Sequence, residues 1–174
     1  MNLGNLIAVY ASLCKELNVP FRFPGSPRAY EVLVNVTGTE VLSKSMEWAA
    51  TASNTKNEIF NITNGDIFRW KDAWPKFAAF FGVTYAEPQK FSLTAYMENK
   101  AYLWNNMVKK YGLQPQTLNM LVQWAFGDFI FGTEYDAFFD VNNARRAGFQ
   151  EMNLDSIDQM IAYFQTLKDH KIIP

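Results

Sequence analysis

The sequence predicts an α+β fold, mainly α with two or three short strands, with residues 1–174 forming a single domain. Three observations predict it. Apolar residues recur at three- and four-residue spacing through most of the chain, the period of a buried helix face. Alternating or β-branched stretches are confined to residues 21–23, 30–36 and 58–63, too few and too far apart for a sheet of their own. No repeat, low-complexity run or flexible linker divides the chain, and this length buries roughly 70% of the surface the unfolded form exposes.

In order along the chain, Leu3, Leu6, Ile7, Tyr10, Ala11, Cys14 and Leu17 share one face of a helix, which Asn18 and Pro20 stop. With nothing upstream to pack on, so apolar a first helix is expected to expose a face to a missing neighbour. Residues 21–23 alternate apolar, basic, apolar before a Pro-Gly-Ser-Pro turn, and residues 30–36 form a second, valine-rich strand. Thr37 or Thr39 can cap a helix over 41–51 whose apolar positions are Leu42, Met46, Trp48 and Ala49.

Residues 58–63 (EIFNIT) read as a third strand. Asn64-Gly65-Asp66 then offers a positive φ at Gly65 and a carboxylate to cap the following helix. That helix, 68–81, aligns Trp70, Trp74, Phe77 and Phe81 and ends at Gly82; Pro75 inside it predicts a kink near Lys71 or a start near Ala73. Residues 91–111 form one long or two short helices closed by Gly112, and Pro115 opens a helix over 116–126 ended by Gly127. A short basic helix over 142–147 precedes one over 155–168, capped by Asp155 and carrying Ile157, Ile161, Tyr163, Phe164 and Leu167.

Composition excludes several function classes. Sixteen basic and 17 acidic residues leave a net charge of −1, without the basic footprint that nucleic acid or an anionic membrane selects. The opening segment has no basic leader and is too short to span a bilayer. A single cysteine, Cys14, cannot form an internal disulfide; a buried, inert thiol and a reducing, cytoplasmic compartment are expected. One histidine and one cysteine make no zinc site, and His170, in a charged tail, reads as a surface residue. Neither G-x-S-x-G, G-x-G-x-x-G nor a P-loop occurs, so no nucleotide is expected to be held by this chain by itself.

The aromatic content, 15 Phe, 8 Tyr and 5 Trp, points to a large core, an apolar pocket, or both. WAFGDFIFG, residues 124–132, fits either a core helix with a glycine bend or the wall of an aromatic-lined pocket. Tyr96 and Lys100 match a Y-x-x-x-K spacing used by dehydrogenases, but with no nicotinamide site upstream the match reads as coincidence.

Four stretches, LIAVYASLCKELNVPFRFPG, EWAATASNTKNEIFNITNGDIFRWKDAWPKFAAFFGV, QWAFGD and KIIP, together resemble the C-terminal, substrate-binding part of the progesterone 5β-reductase/iridoid synthase-like (PRISE) enzymes. These are extended, atypical short-chain dehydrogenase/reductases, and N-x-x-N-G-D-x-F-x-W is the most specific of the shared motifs. The resemblance implies reduction of activated C=C bonds with NADPH, and a strand over 59–63 at the edge of a Rossmann-type sheet. The cofactor loop and the catalytic Tyr and Lys would lie in a half not found in these residues, so no cofactor is expected unless a separate cofactor domain supplies NADPH.

The resemblance places Asn2 at the mouth of the substrate site and Phe126 on a helix that closes over the substrate; Leu6 and Trp124, on the same two segments, complete the expected substrate-binding set. No catalytic residue is implied. VNVTGTEVL departs from the family's aspartate-containing segment, which argues against retained inter-domain contacts. Two functions are expected from this. One is a cofactor-independent protein that binds a small hydrophobic polyene, terpenoid or polyketide and cyclises or isomerises it by fixing a reactive conformer. The other is part of a split or fragmentary enone reductase, inactive alone. Either a homo-oligomer or a cofactor-domain polypeptide would be the protein partner.

Overall fold

The computed structural model describes residues 2–174; Met1 lies outside the described residues. Helix α1 (Leu3–Leu17) runs through the middle of the core, with every residue from Leu6 to Cys14 buried. It is covered by α4 (Trp70–Phe81), α6 (Ala101–Tyr111), α7 (Leu118–Leu121), α8 (Trp124–Phe131) and α10 (Ser156–Asp169). The expectation of an exposed apolar face on α1 is therefore corrected: segments later in the chain supply its neighbours. Around it Phe21 stacks on Trp74 at 4.6 Å between ring centroids, and Phe131 meets Trp70 and Trp74 edge-on at 5.3 and 5.4 Å. Offset and edge-to-face contacts of this kind add to the burial of the rings themselves. The stripe of Trp70, Trp74, Phe77 and Phe81 expected on α4 is buried throughout.

The strands are two residues long and form two separate pairs. β1 (Phe21–Arg22) lies parallel to β4 (Tyr85–Ala86), and β2 (Leu33–Val34) antiparallel to β3 (Phe68–Arg69). The strand expected over 30–36 is shortened because Ser26 caps, and Pro27 opens, a helix α2 (Pro27–Glu31) that takes Tyr30. Helix α3 (Thr39–Thr51) starts at Gly38 without a side-chain cap; Thr37 donates instead to the Ile62 carbonyl. Its inward face is Val41, Ser45 and half-buried Trp48, which packs on Phe60 and Phe149. Leu42, Met46 and Ala49, expected inside, face out, with Met46 62% exposed.

Residues 58–63 form no strand, because no sheet edge among the described residues reaches them. The Asn-Gly-Asp turn after them is built as a junction. Gly65 has φ +108°, and a Cβ there would lie 2.0 Å from the Met152 carbonyl oxygen, so no other residue fits. Asp66 caps α10 and not α4: its carboxylate accepts from the Ser156 backbone N–H (2.8 Å) and hydroxyl. Buried Asn64 ties the same place together, accepting from the Gly38 N–H and donating to Ser156 and Gln159.

Helix α4 begins at Trp70, earlier than Ala73, with Pro75 inside it. Residues 91–111 divide into α5 (Leu93–Met97) and α6. The single helix expected over 116–126 is instead α7 and α8, broken at Val122 and Gln123, and Gly127 lies within α8. A Cβ on Gly127 would come within 2.8 Å of both Leu6 and Leu93, so its lack of a side chain lets α8 close on α1 and α5. Helix α9 (Asn142–Arg146) and α10, capped by Asp155, lie where expected. Among the described residues no helix is long and apolar enough to cross a membrane, and no group of His, Cys, Asp and Glu side chains could hold a metal.

Candidate functional site

The start of α1, the N-terminus of α5 and the α7–α8 connection border a solvent-open cavity of about 520 Å³. Asn2, Leu6, Trp124 and Phe126 all line it, together with Thr94 and Leu121. The two distant segments singled out in the sequence thus meet on one cavity, of a volume within the usual range for small-molecule sites.

Each wall is fixed by polar contacts behind it. Asn2 is the N-cap of α1: its Oδ1 accepts from the Asn5 N–H at 3.1 Å, while its Nδ2 donates to the Tyr163 hydroxyl at 3.1 Å. Tyr163 in turn donates to Asn5 Oδ1 at 2.7 Å, tying α10 to the first turn of α1. Burial pushes the Tyr163 phenol above its ordinary pKa, so it remains a neutral donor. On the opposite side Asp128 anchors α8 to α5, accepting from the Leu93 N–H, the Thr94 N–H and the Ser92 and Thr94 hydroxyls. Desolvation raises the Asp128 pKa, but the hydrogen bonds from Thr94, Leu93 and Ser92 together outweigh it and hold the carboxyl below its ordinary range.

Asn5, Thr94, Asp128 and Tyr163 have no sequence signal of their own. Their pairings between elements span 34 to 161 residues and depend on helix packing. The WAFGDFIFG stretch satisfies both of its readings, since α8 buries Trp124, Gly127 and Phe131 while Trp124, Ala125 and Phe126 line the cavity.

Among the described residues, none that lines the cavity is titratable. Its walls can hold and shape an apolar skeleton and offer it hydrogen bonds, but they contain no general acid or base. Nor do the described residues fit a dinucleotide, because no lysine or arginine among them lines the cavity to meet a pyrophosphate. A second, more open cleft at α2 does contain Arg28, but Glu31, Glu134 and Asp136 share it and would repel phosphate. Neither two-stranded pair leads through a glycine-rich turn into a helix.

The remaining candidates are structural. Lys100 lies beyond α5, with its ammonium 5.1 Å from the Tyr96 ring centroid in a cation–π contact. Cys14 is buried, and desolvation pushes its thiol up to about 12. His170 is exposed at the end of α10.

The PRISE-like Rossmann-fold domain family matches residues 1–174. The chain is 33% identical over 178 aligned residues to an (S)-8-oxocitronellyl enol synthase of Camptotheca acuminata, covering 100% of this chain and 45% of that protein. It is also 33% identical over 177 residues to a 3-oxo-Δ(4,5)-steroid 5-β-reductase of Arabidopsis thaliana, again covering 100% of this chain and 45% of the relative. A Catharanthus roseus (S)-8-oxocitronellyl enol synthase is 29% identical over the same share of each. The chain spans less than half the length of these relatives, and the alignments with them cover all of it. With the family matching every residue, this chain belongs to the PRISE-like Rossmann-fold domain family.

Proposed function

We propose that this chain binds a small hydrophobic polyene, terpenoid or polyketide in the cavity between α1, α5 and α8. The observation that carries the reading is the convergence of Asn2, Leu6, Trp124 and Phe126 on one cavity of about 520 Å³. Relatives named for an oxocitronellyl compound and for a 3-oxo-steroid support a ligand of this size and polarity. With no titratable wall residue among those described, the chemistry open to the chain by itself is cyclisation or isomerisation of a ligand held in a reactive conformer. Calorimetry with citronellal tests the cavity. Phe126→Ala should weaken binding about five- to tenfold, since half-buried Phe126 would lose apolar contact with the ligand. Unchanged affinity would remove Phe126 from the site.

A second reading has its own observation. Residues 59–63 have β-prone side chains, none of their backbone N–H groups meets a backbone acceptor among the described residues, and Ile59 is 87% exposed. Such an edge suits docking to a cofactor-domain polypeptide, with this chain as the substrate-binding part of a split NADPH-dependent enone reductase. A second copy of this chain could cover the same edge as a homo-oligomer. Light scattering of the chain alone tests the homo-oligomer: a monomer leaves the edge free for a separate polypeptide, and a dimer that Ile59→Lys dissolves assigns the edge to self-association.

A further inference from the structure

Asn64-Gly65 is the one Asn-Gly pair in the sequence, and it lies in the junction between the start of α3, the turn before α4 and the first turn of α10. In an unfolded chain such a pair is chemically labile, because a following glycine lets its backbone nitrogen reach the asparagine side chain. The Gly65 nitrogen bonds to Asn64 Cγ, the Cγ–Nδ2 bond breaks, and ammonia leaves with the backbone amide proton, forming a succinimide. Water then opens the ring at one carbonyl to give aspartate or at the other to give isoaspartate.

The fold ties up both reacting groups. The Asn64 side chain is fully buried, with Oδ1 accepting from the Gly38 N–H at 2.6 Å and Nδ2 donating to Gln159 and Ser156. The attacking nitrogen is engaged too, since the Gly65 N–H donates to Thr63 Oγ1 at 3.1 Å. The Asn64 backbone is paired on both sides: its N–H donates to the Val36 carbonyl at 2.8 Å, and its carbonyl accepts from the Leu154 N–H at 2.9 Å.

Neither product fits the same place. Isoaspartate routes the chain through the side-chain carboxyl, so the carbonyl that accepts from Leu154 becomes a free carboxylate, and an added methylene displaces Gly65, which has no room for a Cβ beside Met152. Aspartate sets a second carboxylate against Ser156, whose hydroxyl already donates to Asp66. A buried carboxylate short of donors opposes folding.

We propose that Asn64 is a conditional modification site, deamidated only when the chain unfolds, and that a chain so modified does not regain this fold. The junction thereby turns prolonged unfolding into a permanent covalent mark, independently of any ligand in the cavity.

The test ages the full chain in mildly alkaline buffer, native and in guanidinium chloride, and follows Asn64 by peptide mass spectrometry, with isoaspartate read by enzymatic methyl transfer. Conversion should be more than about a hundredfold slower in the native sample, because a domain of ordinary stability leaves well under about one per cent of its molecules unfolded. On dilution from guanidinium, modified chains should be confined to the fraction that fails to regain native size in gel filtration, while chains diluted before conversion regain it. Gly65→Ala, compared in guanidinium where nothing has to fold, should slow conversion several-fold by crowding the attacking nitrogen. Equal rates in native and denatured samples, modified Asn64 in the same proportion in the recovered native fraction, or an unchanged rate in Gly65→Ala overturns the inference.

Discussion

Replacing Asn64 by alanine removes the side chain that joins the start of α3, the Asn-Gly-Asp turn and the first turn of α10. The amide is fully buried, and its Oδ1 accepts from the Gly38 N–H at 2.6 Å. Its Nδ2 donates to Gln159 Oε1 at 2.7 Å and to Ser156 Oγ at 3.0 Å. Three bonds at about 1 kcal/mol net each give about 3 kcal/mol, and the small void adds to that. Two factors reduce it: half-buried Gln159 can turn toward water, and Ser156 keeps its bonds to Asp66. The expected loss is about 2–4 kcal/mol, read as a lower urea midpoint at unchanged slope. Asn61→Ala is the control, because Asn61 is exposed and makes one bond, to the Asp140 carbonyl; it should cost less than about 1 kcal/mol. An Asn64→Ala loss below about 1 kcal/mol would refute the reasoning, since the junction would then be held by packing and not by this amide.

Three further outcomes are expected. Gly65→Ala should destabilise by more than about 1 kcal/mol in the same urea assay, because its φ of +108° disfavours any side chain and the Met152 carbonyl occupies the Cβ position. Asp128 has a folded-state pKa below its unfolded one, so its contribution is present above the unfolded value near 3.9 and is lost as pH falls through the folded value. Asp128→Asn should therefore be less stable than wild type at pH 7 and converge on it below about pH 4, and parallel stability–pH curves would contradict this. Calorimetry of the isolated chain with NADPH should give no saturable heat; tight binding would contradict the mismatch between the cavity lining and a pyrophosphate.

The helices were legible wherever a local signal set them. Asp155, Gly82 and Gly112 mark helix ends by capping chemistry, and the Trp70-to-Phe81 stripe declares its buried face by spacing. The misreadings have physical causes. Leu42 and Met46 are apolar yet exposed, and residues 58–63 are β-prone yet unpaired, because composition shows what a segment could bury and not whether a partner is present. Gly127 read as a helix end because its actual constraint, the approach of Leu6 and Leu93, comes from distant segments. For the cavity, the family resemblance points to Asn2 and Phe126, with Leu6 and Trp124 on the same two segments, whereas the Asp128 anchor and the Asn2–Tyr163–Asn5 network exist only in the folded arrangement.

The central claim is that the cavity between α1, α5 and α8 takes a hydrophobic ligand. Ala125 lines that cavity from an exposed position, so Ala125→Trp can fill it without disturbing the core. Titrating citronellal into the wild-type chain should give saturable one-to-one binding, which Ala125→Trp abolishes while its urea midpoint stays within error of wild type. No binding to the wild-type chain, or undiminished binding to a folded Ala125→Trp, would contradict the account.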